Sequence, residues 1–278
     1  MGSDPDELAG WRGRLLEEAT AVIERETSGR PARFREALLA AAEHTRPPEL
    51  DLLACGAAAW SGGDPGTGMP AAVASHLLRA AVSVHTALPG FRTSFPSCSV
   101  PVHERFDEGT ALLVGDALVP LAVTVLVSRG GRHGAAMVDD AMEALGAGGI
   151  LAGISLELEG RSTTLTDDVP PRELWAGSLG RFSALSGARL AGATERQMDQ
   201  VSLLGLECGR AWSLMGGTPG LEGGSLHELN LEAATLLDDA RTLAGSGENG
   251  GMLREIVGCL RNLSPSDPSD LFFEPGAG

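Results

Sequence analysis

The side chains with the most obvious capacity for chemistry are carboxylates written in pairs. Asp139-Asp140-Ala141-Met142-Glu143 spells a DDxxE, and helical spacing sets its three carboxylates near one face, as a divalent cation would require. The same residues also suit the opening turn of a helix, where the macrodipole favours negative charge, and that is the simpler reading. Asp167-Asp168, ahead of Pro170-Pro171, and Asp238-Asp239 read as solvated turn and surface residues. The six histidines and four cysteines fall into no metal-ligand spacing, and no GxSxG, P-loop or dinucleotide fingerprint is present.

The elements that must position such groups are helices. Asp4 can cap a first helix, Pro5 sits where its missing N–H costs nothing, and Leu8, Trp11, Leu15, Ala19 and Val22 recur at three- and four-residue steps. Further helices are predicted from Pro31 to Ala42, Glu49 to Trp60, Pro70 to Leu88, Asp107 to Val127, Ala135 to about Leu158, Pro171 to Ala193, Glu195 to Met215, Leu226 to Leu243 and Gly251 to Leu263. Between them, 61–69, 95–101 and 216–224 are rich in Gly, Pro and Ser and read as turns and loops. No stretch alternates β-branched residues at period two, so the fold class is all-α: one helical bundle around a central cavity over residues 1–263, followed by a disordered tail, 264–278.

Composition narrows the partners. A net charge of -16 opposes binding to nucleic acid or to an anionic membrane surface. Every basic residue is arginine, and tyrosine is absent, which marks a biased genome and not a function. Four widely separated cysteines without CxxC spacing fit a reducing cytoplasm. An acidic N-terminus without a basic and then apolar run shows no secretory signal. The most apolar run, 111–127, holds Asp116 and Pro120 and reads as a buried helix, not a membrane span.

One stretch carries a family resemblance. Val102 to Leu118, VHERFDEGTALLVGDAL, resembles the segment that follows the first aspartate-rich motif in the polyprenyl (trans-isoprenyl) diphosphate synthases, written there close to PTVHKRFGEATALLAGDAL. Ala80 to Ala87 resembles the family helix that carries HTA and then DDxxD. The resemblance runs from about Ala32 to Met215 and implies the family's helical bundle, with Ala74–Leu88 and Leu203–Met215 facing one another.

Within the family frame the chemistry has changed. Arg92 and Pro96 fall where the first motif has metal-binding aspartates, and Cys208, Gly209, Trp212, Ser213 and Gly216 where the second, FQxxDDxxD, has its ligands. Glu43 and Arg46 occupy the lysine and arginine of GGKxxRP, and Trp175-Ala176 the lysine and threonine of KTGAL. The resemblance therefore implies Mg²⁺ for the family but no ligand set for it here. His85, Arg46 and Arg92 remain as a residual diphosphate pocket, against which stand a hydrogen-bonded structural histidine and a plain loop arginine. Asp116 matches a family residue and is expected to be buried and structural.

Two functions follow as expectations. One is a non-catalytic or regulatory subunit that forms a homodimer or a heterodimer with an active prenyl diphosphate synthase. The alternative is a divergent prenyltransferase or terpene-synthase-like enzyme of specialised metabolism that uses the same cavity without the usual metal motifs, with an isoprenoid diphosphate as ligand. Because the frame positions offer no carboxylate, titrating Mg²⁺ with pyrophosphate into the protein in a calorimeter is expected to give no saturable heat; stoichiometric binding would show that the motifs lie elsewhere.

Overall fold

A computed structural model describes residues 5–43, 45, 48–91, 101–159, 171–215, 223–245 and 248–262. Among them there are helices and no strands, as the all-α expectation requires. The α-helices are α1 (Pro5–Glu26), α2 (Ala32–Glu43), α3 (Glu49–Trp60), α4 (Met69–Thr86), α5 (Val102–Arg105), α6 (Glu108–Arg129), α7 (Gly134–Leu145), α8 (Ile150–Leu158), α9 (Pro171–Leu190), α10 (Glu195–Met215), α11 (Gly223–Ala244) and α12 (Gly251–Asn262). The tail 264–278 and the loop from Phe95 to Val100 lie outside the described residues.

Local chemistry accounts for several boundaries. Asp64 accepts from Gly66 N and starts a 3-10 turn, Pro65–Gly68, that feeds directly into α4. Asp107 caps α6, taking Thr110 N at 2.7 Å and Thr110 Oγ1 at 2.8 Å. These bonds, the backbone one foremost, hold its carboxyl below the ordinary carboxylate range. The single helix expected over 135–158 is in fact two. Gly146 to Gly149 separate α7 from α8, and a Cβ at Gly149 would stand 2.1 Å from Ala144 O. Only glycine lets the chain fold back so closely there.

Helix α9 is the axis of the bundle, packing against α3, α4, α7, α8 and α10. Its small residues let neighbouring backbones nearly touch. A Cβ added at Gly187 would lie 1.9 Å from Ala54 O of α3, at Gly180 2.2 Å from Gly205 O of α10, and at Gly209 of α10 2.0 Å from Ala176 O. Helix α6 packs on α4 in the same manner, since a Cβ at Gly115 would meet His85 Nε2 at 2.2 Å. The first-helix stripe is buried as its spacing implies, with Leu8, Leu15, Ala19 and Val22 all at 2% exposure or less.

The apolar helix α6 departs from expectation. It and the segment Gly131–Leu158 are long and apolar enough to cross a membrane by length and composition, yet only 39% and 28% of their most apolar windows are buried. Helix α6 is therefore a half-buried element of the bundle. It packs inward through Ala111, Val114, Leu118, Ala122 and Val125 and leaves Leu112, Leu113 and Val127 outside. Asp116, expected to be buried, has a side chain 63% exposed, because it lies on that outer stripe.

Replacing Gly209 with alanine is expected to lower stability by about 1–3 kcal/mol, since the neighbour in its way is backbone. Gly10→Ala in α1, where a Cβ would meet nothing, should raise it by up to about 1 kcal/mol. Urea denaturation of both variants measures the contrast.

Candidate functional site

The polar heart of the molecule is a cluster that none of the sequence motifs contains. Asp51 of α3 is fully buried and accepts four hydrogen bonds. Ser75 Oγ (3.0 Å) and Arg79 Nε (3.1 Å) donate to its Oδ1, and His76 Nδ1 (2.8 Å) and Arg79 Nη2 (2.5 Å) to its Oδ2. Ser183 Oγ of α9 donates to Asp51 O at 2.8 Å. His76 Nε2 points at Ala42 O of α2, 2.9 Å away, so both ring nitrogens face acceptors, an arrangement that a doubly protonated imidazole satisfies. One carboxylate thus ties α2, α3, α4 and α9 together. Burial pushes the Asp51 carboxyl up, but the charge of Arg79 and the hydrogen bond and charge of His76 outweigh it and hold it below the ordinary range.

Arg79 spends its remaining edge on an aromatic face. Its Nη1 is buried without a hydrogen-bond partner among the described residues, and its Cζ lies 6.0 Å from the centre of the Trp212 ring of α10. Trp212 meets Trp175 of α9 edge to face, with centroids 5.9 Å apart and planes at 80°. Both indoles are buried. Arg79 and Trp212, which come from the segments of α4 and α10 expected to face one another, approach each other here.

The family-frame positions can now be placed. Trp212, Ser213 and Cys208 are buried on α10, and Trp175 and Ala176 on α9. Indole, hydroxyl and backbone-packed alanine supply no carboxylate, so these residues do not fit a Mg²⁺ site. Among the described residues, no three His, Cys, Asp or Glu side chains are grouped closely enough to hold a metal ion. Arg46, Arg92, Pro96 and Gly216 lie outside the described residues, as do Asp167 and Asp168. His85 is partly exposed at the end of α4, with Nε2 3.2 Å from Leu112 O and 3.5 Å from Asp116 Oδ1. Its described neighbours are thus acceptors.

Asp139 and Asp140 are not in the first turn of a helix, because α7 begins at Gly134. Asp140 pairs with Arg189 of α9 at 2.7 Å. Together with Glu143 it edges a cleft of about 320 Å³ over α9, whose other walls include Leu174, Phe182, Arg181 and Arg210. Asp238 is an exposed ion-pair partner of Arg261.

With this geometry established, the comparisons with known proteins are specific about class. No protein-family model matches the chain. Solved structures do match nearly its whole length. A farnesyl/geranylfarnesyl diphosphate synthase from Zymomonas mobilis superposes with a TM-score of 0.73 at 20% identity, over 91% of this chain and 99% of that one. A deletion mutant of the heterotetrameric geranyl pyrophosphate synthase of mint, in complex with ligands, gives 0.68 at 21%, over 89% and 98%. The fold is therefore that of the isoprenyl diphosphate synthases. In sequence, the chain is 28% identical over 211 residues to the small subunit of the heterodimeric geranylgeranyl pyrophosphate synthase of Arabidopsis thaliana, covering 72% of this chain and 61% of that protein. It is 31% identical to geranylgeranyl pyrophosphate synthase 11 of the same plant, over 60% and 49%, and 25% identical to the farnesyl diphosphate synthase of Micrococcus luteus, over 53% of each. In sequence the chain is thus similar to prenyl diphosphate synthases, and these matches span only about half to three-fifths of the curated relatives' length.

The lowered Asp51 carboxyl fixes the sign of a pH effect. Its stabilisation is complete above the unfolded-chain value of about 4 and is lost as pH falls through the lower folded value. The melting temperature is expected to hold between about pH 7 and 5 and to drop steeply below about 4. Asp51→Asn, which leaves Arg79 without its counter-charge, should cost about 3–5 kcal/mol at neutral pH. Calorimetric melts across pH check both.

Proposed function

We propose that the chain is a non-catalytic subunit of a prenyl diphosphate synthase, which associates with a catalytically complete chain and adjusts its yield or product length. The observation that carries this reading is the outer face of α6. Leu113, Pro120 and Val127 repeat at steps of seven along one exposed stripe, with Leu112 beside it, and Leu113 and Val127 are 58% and 61% exposed. Leu151 and Leu158 repeat the step on α8, at 52% and 44%. A helix covered only on its inner side, whose outer stripe is largely apolar although it carries Asp116, invites a second helical surface, and permanent assemblies of this kind bury about 2,000 Å² or more. Heteromeric relatives, one of them named as a small subunit, support the same reading. The interior supports it from the other side, since buried indoles stand at the frame positions of a lysine and an aspartate, where the departing pyrophosphate would need cations.

The setting proposed is the cytoplasm, in keeping with three unpaired thiols, Cys55, Cys208 and Cys259. Burial pushes Cys55 up to about 12 and raises Cys208 further, so neither offers thiolate at neutral pH.

Purified alone, the protein is expected not to elongate dimethylallyl, geranyl or farnesyl diphosphate with isopentenyl diphosphate. Mixed with a complete synthase from the same organism, it should co-elute and shift that enzyme's product length or yield. Leu113→Glu/Val127→Glu should abolish co-elution while leaving the melt within about 0.5 kcal/mol of the parent, because both side chains are exposed. Magnesium-dependent elongation by the isolated chain would end the proposal.

A further inference from the structure

We infer that Trp212, braced by Trp175, is a built-in plug that occupies an anion site centred on Arg79, so that the chain carries in its core the occupant that a ligand would otherwise supply. The inference deepens the non-catalytic reading, but it stands on Arg79 and Trp212 alone. Arg79 is fully buried, and its Nε and Nη2 both donate to Asp51, whose carboxylate is shared with Ser75 and His76. Its Nη1 is left over, a buried donor with no hydrogen-bond acceptor among the described residues. A guanidinium in that position demands either an anion or an electron-rich face. The Trp212 ring meets the demand at 6.0 Å, and Trp175, set edge-on to it at 5.9 Å, limits its freedom to swing away.

The local charge favours the same conclusion. The described titratable groups in direct contact with Arg79 comprise one carboxylate, Asp51, and that carboxylate also serves His76. A single carboxylate is thus shared between a guanidinium and an imidazole, and an aromatic quadrupole compensates the remaining edge of the guanidinium only weakly. A diphosphate or phosphate oxygen would compensate it more fully. What excludes one, on this inference, is the volume of the buried indole, whose ring lies over the guanidinium. Ordinary core packing does not predict an anion response on removing a tryptophan, because a cavity walled by apolar groups stays dry and neutral.

The test uses inorganic pyrophosphate without metal and reads thermal stability. Wild-type protein should show no change in melting temperature as pyrophosphate is added. Trp212→Ala should melt lower in buffer and recover with added pyrophosphate along a saturable curve, the signature of a ligand that binds only the folded state. Trp212→Phe, which folds more readily and opens a smaller gap, should show the same response at lower amplitude. Two controls separate the plug from general effects. Trp11→Ala removes the tryptophan that Arg14 covers at 5.3 Å, near the surface, and should gain no response. Trp212→Phe combined with Arg79→Met should lose the response of Trp212→Phe alone. The inference is overturned if folded Trp212→Phe or Trp212→Ala responds no more than the parent, if the response survives Arg79→Met, or if the parent itself binds pyrophosphate. None of these outcomes bears on co-elution with a synthase, which depends on the outer face of α6.

Discussion

A buried ion cluster holds the centre of this bundle. Asp51 reaches four donors with its side chain and one with its backbone, and those partners come from α4 and α9, with His76 extending the chain of bonds to α2. Such a cluster is a poor source of net stability, because two or three charges have been taken out of water to build it. Its effect is on register. A slip of one turn in α3 or α4 would strand a carboxylate or a guanidinium in an apolar interior, so few alternative packings compete with the native one.

The glycine contacts complete what the cluster begins. Gly180, Gly205 and Gly209 bring α9 and α10 so close that backbone meets backbone, while Gly187 does the same for α9 and α3. Helices locked at these distances leave the two large indoles one place to go, the inner junction of α4, α9 and α10. There Trp212 covers Arg79. Polar anchoring, close helix approach and aromatic filling are thus successive consequences of one arrangement.

The proposed function divides between two surfaces. The inner one, where the family's frame would have metal and diphosphate ligands, is filled with indole and closed by packing. The outer one, along α6 and α8, keeps exposed leucines and a valine at seven-residue steps. A chain that had merely decayed would have no reason to keep an apolar stripe in water, where it favours aggregation. The subunit proposed here, covered on that face by a partner, would have such a reason.

Much of the helical framework was legible from local chemistry. The bounds of α3 and α10 fall where Glu49, Trp60, Glu195 and Met215 were expected to set them, since proline and glycine on either side leave the helix no continuation. The family likeness too was carried by contiguous residues, 102–118, whose meaning does not depend on how the chain folds. Three things were decided only in three dimensions. The break at Gly146–Gly149 depends on how tightly the chain must turn back over α7, and helical periodicity alone does not register it. Asp116 matched a buried expectation by sequence but sits on the stripe of α6 that faces away from the core, a matter of helix rotation. The Asp51 cluster joins residues 25 and 28 positions apart, so no motif search finds it. Its one trace in the sequence is charge set among apolar residues, Asp51 between Leu50 and Leu52 and Arg79 between Leu78 and Ala80, each of which had to be paired before it could be buried. Sequence determined that partners must exist. The tertiary structure chose them, because pairing energy in a dry interior depends on distances that only the packing of α3 against α4 sets.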